Sequence, residues 1–147
     1  MSMSAQQQQQ AAQLTPCRFC SNVPTAKTKF RGHRGLIIAM QFRHVDGPFC
    51  RDCGLATFRE LTSKTLIQGW YSYGSFFIAP FIVLWNLINR GKVASLAPPQ
   101  PSPYGGAQRP MDPGRPLMAR PASIIGVFVP FILIVALITV IALTSDS

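Results

Sequence analysis

The sequence predicts a small α+β membrane protein, a β-rich four-cysteine module followed by α-helical membrane segments. Three observations lead there. Cys17-Arg-Phe-Cys20 and Cys50-Arg-Asp-Cys53 are Cys-x-x-Cys pairs separated by 29 residues, and together they use all four cysteines of the chain. All 14 Lys and Arg lie at or before Arg120, while the last 27 residues carry a single charge, Asp146. Residues 124–143 are 20 residues almost entirely of Ile, Val, Leu, Phe and Ala, a helix of about 30 Å.

The cysteine spacing points to one structural Zn2+ held by Cys17, Cys20, Cys50 and Cys53, because each short pair clamps an ion with two thiolates from one tight turn. Gly54, directly after the second pair, is expected to take the left-handed backbone such a turn needs. The separation exceeds the usual spacing of about 15–20 residues but has room for a hairpin. Residues 14–60 are too few to bury a self-sufficient core, and a structural zinc supplies about 10–16 kcal/mol towards folding. Structural disulfides are the competing reading, disfavoured because no cleavable signal peptide precedes the pairs. Four thiolates around one dication lower the formal charge of +9 to about +7.

Residues 1–13, with glutamines from Gln6 to Gln10, read as a disordered leader. Residues 14–60 read as the zinc ribbon. Within it, strands are expected at 27–30 and 36–42, with turns at 31–35 and at Asp46-Gly47-Pro48. Leu36, Ile37, Ile38, Met40 and Phe42 are expected to cover the metal core. Residues 55–66 read as a helix with Glu60 and Lys64 at i,i+4 spacing. His33 and His44 are surplus as ligands beside four cysteines and read as surface or turn residues.

Residues 61–96 contain 25 consecutive uncharged positions, 65–89, interrupted by Gly69, Gly74 and Pro80 and flanked on both sides by cations. Basic flanks at both ends favour an amphipathic or re-entrant membrane hairpin over one straight span. Trp70, Tyr71, Phe76, Phe77 and Trp85 are its expected interfacial anchors, and Asn86 and Asn89 its polar seam. Residues 97–121 hold eight prolines and read as an extended linker. Residues 122–144 then form the transmembrane helix. Arg109, Arg115 and Arg120 precede it and no cation follows, which places the zinc module in the cytoplasm.

Pro48-Phe49-Cys50-Arg51-Asp52-Cys53-Gly54-Leu55-Ala56, then Leu61-Thr62-Ser63-Lys64-Thr65-Leu66 and Gln68-Gly69-Trp70, resemble an uncharacterised family of small actinobacterial zinc-ribbon membrane proteins. The stretch from Gly69 to Asn86 is also similar to a Gly-Trp-Trp-Gly…Pro…Asn membrane hairpin, with Tyr71 and Ser72 in place of the second Trp and Gly. The resemblance covers roughly residues 16–97. It implies a cytoplasmic ribbon fused to a membrane segment and supplies no catalytic residue.

No GxSxG, HExxH, phosphate loop or paired-carboxylate arrangement is present, so the expectation is a protein that is not an enzyme. Lys27, Lys29, Arg31, Arg34 and Arg43 form the densest basic stretch, suited to membrane lipid or an unidentified membrane protein. The expected role is an adaptor or accessory subunit docking a zinc module at the bilayer. A membrane-tethered nucleic-acid-binding or regulatory module is the first alternative, and a zinc-thiolate redox sensor the second.

Overall fold

The structure is a computed structural model and describes residues 4–36 and 38–145. Its elements are α1 (Ala5–Leu14), β1 (Ala26–Gly35), β2 (Met40–Phe49), α2 (Arg51–Gln68), α3 (Tyr73–Ala94), a 3₁₀ turn (Leu117–Ala119) and α4 (Pro121–Ser145). The Gln-rich leader is helical from Ala5, in keeping with the good helix propensity of Ala and Gln.

β1 and β2 form an antiparallel hairpin in register from Ala26↔Phe49 to Gly35↔Met40. The chain therefore reverses beyond the Gly35↔Met40 pair, not at 31–35, and Asp46-Gly47-Pro48 lies inside β2. The glycines expected to make the turn serve close packing instead. A Cβ on Gly35 would fall 2.6 Å from Ser75 Oγ, and one on Gly32 would crowd Leu61.

The core lies at the other end of the hairpin. Phe30, Phe49, Leu55, Phe58, Leu61 and Val93 pack together, with Phe30 5.7 Å from Phe49 and 6.1 Å from Phe58 between ring centroids. Leu36, Ile38, Met40 and Phe42 do not cover the metal core. They are 45%, 99%, 41% and 58% exposed, because they occupy the hairpin tip far from the cysteines; Ile37 lies outside the described residues.

The helix expected at 55–66 starts a turn earlier, at Arg51, and carries the Glu60–Lys64 pair at 2.6 Å. The uncharged stretch 65–89 is divided by a reversal at 69–72 between α2 and α3. α3 buries Ser75, Ala79, Ile82, Asn86, Asn89 and Val93, a stripe at alternating four- and three-residue intervals that packs on β1 and α2. Phe77, Phe81, Leu84 and Ile88 on its other side are exposed.

The proline-rich segment, expected as an extended linker, turns at 103–105 and is strapped to the body. Gln100 bridges Val23, Arg59 Nη1 donates to the carbonyls of Pro113 and Gly114, and Leu117 packs against the core. α4 then begins against α2. Ser63 Oγ and Ser123 Oγ are 3.1 Å apart and buried, and a Cβ on Gly126 would collide with the Leu66 carbonyl. Among the described residues, α4 is the one helix long and apolar enough to cross a bilayer.

Candidate metal centre

Cys17, Cys20, Cys50 and Cys53 converge at the open end of the hairpin, all buried, with their sulfur atoms within 4.8 Å of one another. Cys20 Sγ and Cys50 Sγ are 3.5 Å apart. A tetrahedron with metal–sulfur bonds of about 2.3 Å has sulfur–sulfur edges of about 3.8 Å, so the cluster has the dimensions of a tetrathiolate site.

Each pair is placed differently. The first is a knuckle held by Cys17 N–H to the Asn22 carbonyl and Ser21 N–H to the Cys17 carbonyl, both 2.9 Å. Its left-handed residue is Ser21, with φ 56°. The second pair is no ribbon knuckle, because Cys50 is the N-cap of α2 and Cys53 lies in its first turn. Gly54 is accordingly helical rather than left-handed. Its lack of a side chain admits α3, since a Cβ there would stand 2.7 Å from Val93 Cγ1. The partial positive charge of a helix N-terminus favours thiolate at both positions.

The electrostatics of the donor set fit a cation. Hydrogen bonds from the Cys50 and Cys53 thiols hold the Cys17 sulfur far below the ordinary thiol range. The same contact with Cys17 drives Cys50 far up and pushes Cys53 up to about 12. Cys17, Cys50 and Cys53 together accept one negative charge readily and further ones only with a positive ion among them. With four cysteine donors, a tetrahedral ion held here would have no open coordination position.

The proline-rich strap completes the site. Gln108 N–H donates to the Cys20 carbonyl at 2.8 Å, Asn22 Nδ2 donates to the Gln108 carbonyl at 3.0 Å, and Met111 N–H donates to Cys53 Sγ at 3.3 Å. Both halves of the centre are thus tied to the segment leading into α4. These contacts use strap backbone groups, which carry no residue signature in a sequence.

The five basic residues expected to act together fall into two groups. Lys27 and Lys29 border a hollow with Asp46, Trp85 and Lys92, and the Arg31 guanidinium lies 4.9 Å from the Trp85 ring centroid. Arg34 and Arg43 instead border a separate cleft with Lys64. The aromatic anchors divide as well. Trp70, Tyr71, Phe76 and Phe77 line one apolar groove with Leu133, Ile134 and Leu137 of α4, whereas Trp85 donates from Nε1 to the Lys29 carbonyl at 3.2 Å.

His33 is neither surface nor turn. It is 2% exposed, its Nε2 lies 2.8 Å from Ser75 Oγ, its ring stacks on Phe42 at 4.8 Å, and burial lowers its pKa. His44 is exposed. Asn86 and Asn89 do form a polar seam, between α3 and β1: Asn86 bonds the Arg31 backbone and Asn89 Oδ1 accepts from Thr28 Oγ1 at 3.0 Å.

Comparison with known protein families, with characterised proteins and with solved structures finds no match.

Proposed function

We propose that this chain is a non-catalytic, membrane-anchored zinc protein, an adaptor or accessory subunit that presents a cytoplasmic metal-stabilised module to a membrane partner. The observation that carries the reading is the closed four-cysteine cluster fastened to the apolar helix. One end of α2 supplies Cys50 and Cys53, and its other half packs on α4 through Ser63–Ser123 and Leu66–Gly126. Zinc suits four buried thiolates better than harder ions do.

The same packing supports a re-entrant α2–α3 hairpin. The contacts Ser63–Ser123 and Leu66–Gly126 advance together along both helices, and beyond them Trp70 lines one groove with Leu133, Ile134 and Leu137. Between Ser123 and Leu133 α4 rises about 15 Å, half of a bilayer core of about 30 Å. On this reading the α2–α3 reversal dips to mid-membrane depth beside α4, the exposed face of Phe77, Phe81, Leu84 and Ile88 meets lipid, and α3 returns to water at Arg90 and Lys92.

The experiment is carbonate extraction and zinc analysis of membranes carrying the full chain, followed by a cross-linked pull-down against Cys50→Ser. The expected result is an extraction-resistant protein with one zinc, and a partner lost in the variant. Release by carbonate, or a zinc-free wild type, would overturn the reading.

A further inference from the structure

We infer that the cleft between Arg34, Arg43 and Lys64 binds the phosphate of an anionic phospholipid, with the hairpin tip seated among the acyl chains beneath it. The inference rests on the reading of α4 as a membrane span and names a specific lipid site on the module it anchors.

The cleft encloses about 190 Å³. Its space comes from Gly32, which stands opposite Arg43 in the strand register and presents no side chain there, while Arg34 stands opposite Gln41. Lys64 and Gln68, one turn apart on α2, close the other wall. Lys64 is paired with Glu60, but the side chains of Arg34 and Arg43 make no ion pair or hydrogen bond among the described residues. Three cations against one carboxylate leave the cleft net positive, which favours an anion able to accept several N–H donors.

The surroundings select a lipid phosphate. Lys64 directly follows Ser63, which touches Ser123 where α4 turns apolar, so the cleft lies at the depth where the span enters the bilayer. Two residues beyond Arg34 the strand reaches the tip, where Leu36, Met40 and Phe42 are largely exposed and Ile38 is 99% exposed. The tip is continuous with the other apolar elements, since Met40 meets Gly74 at the start of α3 and the α2–α3 reversal borders the groove with α4. Cations directly above an apolar surface match a phospholipid, whose phosphate sits directly above its chains. A free phosphate or a nucleic acid gains nothing from that tip.

The test titrates the full chain, in neutral detergent, with dioctanoyl phosphatidylglycerol, dioctanoyl phosphatidylcholine and inorganic phosphate. Saturable binding of the phosphatidylglycerol is expected, weakened about tenfold or more by Arg34→Gln/Arg43→Gln. Arg34→Lys/Arg43→Lys should retain most of the binding, which separates lost charge from lost fold. Lys27→Gln/Lys29→Gln removes the same charge elsewhere and should leave it unchanged. Equal binding of the two lipids, an unaffected Arg34→Gln/Arg43→Gln variant, or inorganic phosphate binding as tightly as the anionic lipid would overturn the inference. Carbonate extraction of the same membranes keeps the two readings apart: a retained protein with a flat titration loses only this site, and a released one loses the anchor.

Discussion

The Asn86 carboxamide pairs with both backbone polar groups of Arg31. Arg31 N–H donates to Asn86 Oδ1 at 2.8 Å, and Asn86 Nδ2 donates to the Arg31 carbonyl at 2.6 Å. One side chain thereby does for the outer edge of β1 what a third strand would do. Its neighbours complete the edge, with Thr65 Oγ1 accepting from His33 N–H at 3.0 Å and Trp85 Nε1 donating to the Lys29 carbonyl. A two-stranded sheet is marginal alone and its open edges invite foreign pairing. Here helical side chains close one edge and bind the hairpin to α2 and α3.

Asn86 is fully buried against β1, so Asn86→Leu leaves the Arg31 N–H and carbonyl without their partner. The cost of each is about 1–3 kcal/mol, and a loss of about 2–6 kcal/mol is expected in total. Chemical denaturation of the detergent-solubilised chain measures it. A change below about 0.5 kcal/mol would mean that the edge finds other partners.

Legibility in the sequence followed the kind of interaction each element depends on. The cysteine cluster, the Glu60–Lys64 pair and the long apolar helix could be read because spacing or composition alone encodes them. Gly32 and Gly35 misled, since a glycine that admits a helix looks like one that turns a chain. The apolar run from Leu36 to Phe42 resembled a core strand, yet it lies at the hairpin tip, while the buried stripe of α3 is partly Ser and Asn. The strap across the metal centre left no trace because the backbones of Gln100, Gln108 and Met111 make its contacts.

Metal removal should loosen more than the hairpin. Because Gln108 and Met111 are bonded to Cys20 and Cys53, a chelator or Cys17→Ser should free the strap as well as the knuckles. Limited proteolysis with chymotrypsin reads this directly at Tyr104 and Leu117, where cleavage should be faster once the metal is lost. Strap cleavage that ignores metal content would show that the two are uncoupled.

His33 should make the fold sensitive to mild acid. Burial lowers its pKa below the ordinary value near 6.5, so the unfolded chain binds the proton more readily. The stability this confers is present in full above about pH 6.5 and is lost as pH falls from there towards the folded pKa. The slope for one proton is at most about 1.4 kcal/mol per pH unit. Acid also protonates the metal thiolates, so the informative quantity is the difference between wild type and His33→Gln, which share that loss. From pH 7.5 to 5.5 the wild type should lose more stability than the variant; parallel curves would show that the imidazole does not titrate differently on unfolding.

The contact between α2 and α4 can be trapped chemically. Ser63 and Ser123 face each other with hydroxyl oxygens 3.1 Å apart, close enough for the corresponding cysteine pair to approach disulfide geometry. Oxidising membranes that carry Ser63→Cys/Ser123→Cys should therefore cross-link the module to α4 within one chain, read as a shift in non-reducing electrophoresis. Adding Gly126→Leu should abolish the link, because any side chain at that position meets the Leu66 carbonyl and forces the helices apart. The four metal cysteines are buried and serve as the background control in the unsubstituted chain. If the double-cysteine chain fails to cross-link while the metal remains bound, the module and α4 move independently. If the link forms and survives Gly126→Leu, the helices meet at the serines but do not continue in contact towards Leu66. Only formation with Ser63→Cys/Ser123→Cys and loss with Gly126→Leu fits a helix pair that carries the metal module down the side of α4.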